Sequence, residues 1–222
     1  TLISLLRQLR AGYNQRPEAF PQTVILCGVR DLRDYRIHAS SEAEPITGGS
    51  AFNIKAASLR LGDFSAEETR TLLLEHTADT GQAFTEDALA RVWELTQGQP
   101  WLVNALAYRV TFENKALRDR TLPITRQAID AAKEHLIINR VTHLDQLAHK
   151  LEEPRVRRII EPMLAGQPLG DDVPYTDIEY LLDLGLCRKG PGGALIIANP
   201  IYREVLPRTL AATPQAGMPQ IT

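Results

Sequence analysis

The stretch Val24–Asp31, with the sequence VILCGVRD, is the part of the chain that decides the predicted fold. Its first four residues are apolar, two of them are β-branched, and Gly28 closes the run. A run this short predicts a fully buried strand rather than a helix. Arg30 then follows at the carboxyl end of that strand, where α/β proteins place their functional side chains. The alternative is that Arg30 is an exposed loop residue.

The sequence around this strand predicts only part of a sheet. Leucines recur at helical spacing over residues 1–12, which predicts an amphipathic helix before the strand. Residues 38–53 have the composition of a loop, residues 56–61 predict a short extended piece, and no second continuous apolar strand precedes residue 190. Because a parallel strand needs neighbours, we expect a truncated domain. The start at Thr1, without a methionine, fits a piece of a longer protein.

Composition and charge exclude several classes of protein. The 222 residues carry a net charge of −2, which argues against a nucleic-acid binder that uses its whole surface. Cys27 and Cys187 are far apart in apolar contexts, which predicts reduced core thiols in a cytoplasmic protein. No histidine has metal-ligand spacing, so no metal site is predicted. No apolar run approaches the roughly 18 residues of a membrane-spanning helix.

Helix-start signals dominate the middle of the chain. Ser65 and Glu68 have the spacing of a capping box, and Thr85 and Thr125 precede two further amphipathic patterns. Between them, Gly98 ends one helix and Pro100 opens the next in the first-turn position that proline favours. The sequence therefore predicts a small helical bundle over residues 63–138.

The last third of the chain predicts a different architecture. Three apolar stripes of helical period fall within residues 144–184. Residues 186–198 then predict a β-hairpin with its turn at 189–193, and a closing helix follows from Pro200 to about Leu210. Three helices and a hairpin in this order predict a winged helix over residues 139–211. Residues 212–222 are predicted to be a disordered tail.

Three short motifs, taken together, resemble a known family. They are Gly-Val-Arg-Asp at residues 28–31, Gly-Gln-Pro at residues 98–100 and Ala-Asn-Pro at residues 198–200. Over residues 1 to about 210 the chain resembles the STAND class of AAA+ ATPases, and most of all the AAA-like ATPases of bacteria and archaea. Without that resemblance, Gly98-Gln99-Pro100 is read as a plain turn between two helices.

The resemblance implies roles for four residues. Arg30 matches the sensor arginine that contacts the terminal phosphate, and Gly98 and Pro100 match the turn that lies against the adenine. Asn199 stands where related switch ATPases carry a histidine that reaches the β-phosphate, and an amide still supplies a hydrogen-bond donor. The implied cofactor of the full-length protein is ATP or ADP with Mg²⁺. The Walker A and Walker B motifs are absent from this sequence, so no nucleotide is expected to bind the chain alone.

The predicted fold class is therefore mostly α with a small β component. It consists of a remnant of an α/β ATPase core with the sensor strand at 1–62, a helical lid at 63–138 and the C-terminal winged helix. The predicted function is that of the C-terminal part of an ATP-dependent molecular switch, inactive on its own. Its expected partner is the missing N-terminal half of the ATPase core, and a homo-oligomer is left open.

The alternative function is that of a winged-helix DNA-binding protein or transcription regulator. The basic residues that favour it lie within the predicted winged helix: Arg155, Arg157, Arg158, Arg188 and Lys189. A solvated protein surface is the preferred explanation of these five residues. Asp177, Glu179 and Asp183 lie on the helix that would enter the major groove, which disfavours this alternative.

Overall fold

The computed structural model describes residues 2–15, 21, 23–25, 27–28, 61–139, 142–170 and 172–212. The chain divides into two compact units, Thr1–Leu61 and Gly62–Thr222. The described residues are mostly helical, and they include one small sheet of two strands. The fold class predicted from the sequence, mostly α with a small β component, is confirmed.

The first unit begins with helix α1, Leu2–Gly12, which is followed by a 3-10 turn at Tyr13–Gln15. The prediction of a buried strand at residues 24–28 is wrong at the described positions. None of them is in a strand, Ile25 is 81% exposed, and Cys27 is exposed as well. No strand among the described residues pairs with this segment, and a parallel strand becomes buried only within a sheet.

Several sequence predictions fall outside the described residues. They concern Arg30, the loop at residues 38–53, the extended piece at residues 56–60 and the tail at residues 213–222. The prediction that both cysteines are core thiols is wrong for the exposed Cys27 and confirmed for Cys187. Burial raises the pKa of the Cys187 thiol to about 12. No helix of the described part combines the length and the apolar character needed to cross a bilayer.

The second unit begins with four helices that form a bundle. They are α2, Ala66–Thr80; α3, Glu86–Thr96; α4, Pro100–Tyr108; and α5, Arg126–Ile138. The capping box that starts α2 is present: Glu68 N donates to Ser65 Oγ at 3.1 Å, and Ser65 N donates to Glu68 Oε2 at 2.8 Å. Hydrogen bonds from the backbone and the side chain of Ser65 to the Glu68 carboxylate lower the pKa of Glu68. The helices pack through fully buried apolar side chains, among them Val92, Leu102, Leu106 and Ile129.

Helix α4 ends at Tyr108 and does not continue through Val110 as an α-helix. A π-helical segment, Arg109–Glu113, follows it, closed by a bond from Asn114 N to Arg109 O. The wider turn keeps Val110 in the core at 1% exposure. It also leaves the rings of Tyr108 and Phe112 stacked on the outside with centroids 5.1 Å apart. A 3-10 turn at Lys115–Arg118 then leads towards α5.

A buried polar residue secures the connection between the π-helical segment and α5. Gln82 is fully buried, and its Nε2 donates to Leu117 O at 2.9 Å and to Leu122 O at 3.0 Å. Its Oε1 accepts a bond from Arg120 Nη1 at 2.7 Å. Arg120 Nη1 also lies 3.2 Å from His76 Nε2 on α2. The amide of Gln82 therefore satisfies backbone carbonyls that no regular element pairs.

The remaining elements form what we call the hairpin segment, residues 142–212. They are helices α6, Thr142–Lys150; α7, Pro154–Leu164; and α8, Tyr175–Asp183; then strands β1, Cys187–Lys189, and β2, Leu195–Ile197; and finally helix α9, Pro200–Ala212. The strands are antiparallel, with Cys187 opposite Ile197. This order of elements is the one that the sequence predicts. Helix α9 packs against α3 and α5, so the hairpin segment and the bundle share one core.

Candidate functional site

The turn between α3 and α4 has a backbone that only a few residue types adopt. Gln97 has φ 50° and Gly98 has φ 79°, both in the left-handed region. Gly98 O accepts a hydrogen bond from Phe64 N at 2.8 Å. A Cβ atom on Gly98 would lie 1.8 Å from Phe64 O, so only glycine fits. Gln99 then caps α4 with its side chain, and Pro100 occupies the first turn.

Asn199 begins helix α9 as its N-cap. Its Oδ1 accepts a bond from Tyr202 N at 2.9 Å, and Pro200 follows it in the first helical position. Asn199 is only 3% exposed, and its Nδ2 is buried without a hydrogen-bond partner among the described residues. The amide lies beside the positive end of a helix, an arrangement that favours anions, and it also faces the phenol oxygen of Tyr202.

Tyr202 lies in the first turn of α9 and is almost completely buried. Burial raises the pKa of its phenol, the charge of Asp63 raises the pKa further, and the Asn199 amide opposes both effects. The phenol therefore stays protonated at neutral pH. Because Asp63 precedes α2, the start of the bundle and the start of α9 influence each other electrostatically.

Arg188 links the bundle to the hairpin segment. Its Nε donates to Ala198 O at 3.0 Å, and its Nη2 donates to Gln97 Oε1 at 3.0 Å. One guanidinium thus joins the residue before Asn199 to the residue before Gly98. We refer to this bridge and the two turns that it connects as the junction. The sequence predicted Arg188 as a contact for nucleic acid, and no local signal indicates a partner that is so distant along the chain.

The basic residues at the start of α7 are held by a carboxylate. Glu153 accepts hydrogen bonds from Lys150 Nζ at 2.8 Å, from Arg155 Nε at 2.8 Å and from the Tyr180 hydroxyl at 3.1 Å. The Arg155 guanidinium also lies 3.4 Å from the centroid of the Tyr180 ring. Burial on its own would raise the pKa of Glu153, but these bonds outweigh it and the pKa is lowered. Arg155 is therefore engaged within the protein.

The other predicted basic residues are divided between paired and unpaired groups. Arg157 forms an ion pair with Glu161 at 2.7 Å, one turn further along α7. Arg158 and Lys189 are exposed and form no ion pair with any described residue. The structure therefore leaves only two of the five basic residues free of protein partners within the described part of the chain.

The described residues contain no group of three or more His, Cys, Asp or Glu side chains that could hold a metal ion. Of the residues that the resemblance singles out, Gly98, Pro100 and Asn199 are described, and Arg30 is not. The junction brings the first three into one region, through two turns joined by Arg188.

Comparison with known proteins adds a weak likeness to solved structures. No protein-family model and no curated protein matches the sequence. Among solved structures, the chain is similar to that of a variant of RuvB, an AAA+ ATPase, from Thermotoga maritima. The similarity has 17% sequence identity and a TM-score of 0.38, and it covers 70% of this chain. The chain spans about half of the RuvB chain, 52%.

Proposed function

We propose that this chain is the C-terminal part of an ATP-dependent molecular switch of the STAND class of AAA+ ATPases. In this proposal the bundle is the lid over the nucleotide, and the hairpin segment is a winged helix that reports which nucleotide is bound. Arg30 is the sensor arginine, and the chain on its own does not hydrolyse ATP. The observation that carries the proposal is the Arg188 bridge, which joins the two motifs singled out by the resemblance.

The geometry of the junction suits a switch for a physical reason. Gly98 allows no side chain, because Phe64 O fills the space, so the turn moves only together with the residues before α2. The Arg188 guanidinium holds Gln97 and Ala198 at once. A ligand that shifts the turn must therefore stretch this bridge or carry the start of α9 with it. Such shared contacts turn local binding into a rearrangement between packed elements.

ATP or ADP with Mg²⁺ is the proposed ligand of the full-length protein. Gly98 and Pro100 would lie on the adenine side, and the Asn199 amide would supply a donor for a phosphate oxygen. The support for the second role is the position of the buried Asn199 amide at the N-terminus of α9, where the helix favours an anion. The N-terminal half of the ATPase core is the proposed partner, and assembly into a homo-oligomer is compatible with this function.

The decisive experiment exchanges the donor at residue 199 without removing the helix cap. Asn199→Asp keeps an N-cap oxygen but replaces the amide by a carboxylate, which repels phosphate. In the longest natural form of the protein, we expect Asn199→Asp to weaken Mg-ADP binding at least tenfold in calorimetry. Asn114→Asp is the matched control, because Asn114 Oδ1 caps an exposed 3-10 turn through Ala116 N.

The proposal fails if Asn199→Asp binds Mg-ADP as tightly as the wild type while unfolding at the same urea concentration. Asn199→Ser serves as a second variant, since its shorter side chain retains the cap and removes Nδ2. The isolated 222-residue chain should show no micromolar affinity for Mg-ATP, which would correspond to about −8 kcal/mol. Arg30→Ala in the longer protein should lower the preference for ATP over ADP.

The second candidate function is DNA binding by the winged helix. Arg158 and Lys189, which are exposed and form no ion pair with any described residue, favour it. Three acidic residues on α8 oppose it, because phosphates repel carboxylates: Asp177, Glu179 and Asp183. We expect weak, salt-dependent and sequence-indifferent binding in fluorescence anisotropy. A selected duplex bound a thousandfold more tightly than random DNA would favour the regulator instead.

A further inference from the structure

A groove of about 580 Å³ lies between the C-terminal end of α7 and strand β2. This volume is within the range of pockets that bind small molecules or short peptide side chains. Most of its lining is apolar: Met163, Leu164, Leu169, Leu195, Ile196 and Ile197. Among the lining residues, only Arg203 carries a charge.

Strand β2 has one paired edge and one open edge. At the two ends of the β1–β2 ladder, Ala198 N donates to Leu186 O and Gly190 N donates to Ala194 O. In an antiparallel ladder, hydrogen-bonded and non-hydrogen-bonded residue pairs alternate, so these two bonds determine which pairs are which. Leu195 and Ile197 belong to non-hydrogen-bonded pairs, so their N–H and C=O groups point away from β1. No strand of the described part pairs with that edge. These four backbone groups therefore have no strand partner on that side within the described part of the chain.

The chain itself does not supply that strand within the described residues. Residues 166–169 face β2 across the groove, but they are not in a strand. Pro168 lies in their middle and has no N–H group to donate to a ladder. The groove is the open space between this segment and the unpaired edge of β2.

Arg203 places a positive charge beside the groove, which favours a ligand with a negative charge. The residue is exposed on the first turns of α9, and its guanidinium makes no ion pair or hydrogen bond with any described residue. Its neighbour on the helix, Glu204, is engaged instead with Lys133 at 2.9 Å and with Arg208 at 2.7 Å. Arg203 is thus an unpaired cation beside an apolar groove, and guanidinium groups bind carboxylates in a bidentate manner.

We propose that this groove binds an extended peptide of a partner protein, which adds a strand to β2 and places a carboxylate on Arg203. The main chain of the peptide pairs with Leu195 and Ile197, as in other cases of strand addition to a sheet edge. Alternate apolar side chains of the peptide fill the groove. The carboxylate comes from an Asp or Glu side chain near one end of the paired stretch.

A random decamer library displayed on phage, selected against the intact chain, tests this proposal. We expect the enriched peptides to alternate apolar residues and to contain an Asp or Glu at a fixed distance from them. Synthetic copies should bind at least tenfold more weakly to Arg203→Ala. Arg208→Ala is the matched control on the same helix, and it should bind the peptides like the wild type.

A proline at residue 195 tests the backbone part of the proposal. Leu195→Pro removes an outward N–H without removing a bond to β1, and it should abolish peptide binding. Lys189→Pro removes the equivalent outward N–H from the opposite edge of the hairpin and should leave binding intact. Circular dichroism and thermal unfolding establish that each variant is folded. Enriched peptides without acidic residues, or affinities unchanged by Arg203→Ala and Leu195→Pro, would overturn the proposal, as would a library that yields no binder.

Discussion

Replacement of Gly98 by alanine should destabilise the second unit far more than the same replacement at Gly81. Both glycines have left-handed backbones, with φ 79° and φ 75°, so alanine costs roughly 1–2 kcal/mol at either position for that reason alone. At Gly81 nothing lies within 4 Å of the new Cβ atom. At Gly98 the new atom would lie 1.8 Å from Phe64 O and 2.7 Å from Phe64 C.

The overlap at Gly98 involves backbone atoms, so the residues before α2 must move away. That movement breaks the bond from Phe64 N to Gly98 O, which contributes about 1 kcal/mol. The strain of the overlap adds roughly 1–3 kcal/mol. We therefore expect Gly98→Ala to lower the free energy of unfolding by about 2–4 kcal/mol more than Gly81→Ala. At the usual scaling for a chain of this size, the difference in Tm is on the order of 10 °C.

Urea unfolding followed by tryptophan fluorescence suits this comparison. The two tryptophans of the chain, Trp93 and Trp101, lie in α3 and α4 on either side of the turn. We expect the wild type and both variants to show the same slope of unfolding free energy against urea concentration, so that only the midpoints differ. If Gly98→Ala and Gly81→Ala agree to within about 0.5 kcal/mol, the close approach of Phe64 to the turn is not a constraint and the reasoning is refuted.

Three further predictions concern the interior. Gln82→Ala should lower the free energy of unfolding in urea by more than about 2 kcal/mol, because its bonds to Leu117 O, Leu122 O and Arg120 Nη1 are lost. The exposed Gln146→Ala should change it by less than about 0.5 kcal/mol. Because the pKa of Glu153 is lowered in the folded state, its stabilisation is complete above its unfolded pKa of about 4.3 and is lost as the pH falls through the lower folded value. Between pH 5 and pH 3 the wild type should therefore lose stability that Glu153→Gln does not lose in denaturant titrations. A thiol reagent should label Cys27 at once and Cys187 only when the chain unfolds.

Local rules of sequence predict much of the second unit. The capping box at Ser65 and the first-turn proline at Pro100 need only residues a few positions apart, and the structure contains both. The hairpin and its register follow from a short apolar run beside a glycine-rich turn, and Cys187 opposite Ile197 agrees with it. These features are predictable because the atoms that form them are neighbours in the sequence.

The features that the sequence did not predict depend on distant partners. Gln82 is polar and belongs to no recognisable sequence motif, so nothing near it in the sequence predicts its burial. Its burial depends on hydrogen bonds to the carbonyl groups of Leu117 and Leu122. The bond between Arg188 and Gln97 joins elements that are separated by most of the second unit. At residues 24–28 the error has the opposite origin, because an apolar run predicts burial only where a neighbouring strand is present to bury it.

Because α9 packs against α3 and α5, part of the surface of the bundle stays uncovered during translation until α9 has been synthesised. Its buried side chains, Ile201, Tyr202, Val205 and Leu206, cover surfaces that exist as soon as α5 has been synthesised. Residues 139–212 must still be added before that cover arrives, which takes roughly 4–15 s at ordinary translation rates. A nascent bundle on the ribosome therefore exposes apolar surface for seconds, and this interval is when a chaperone would bind it.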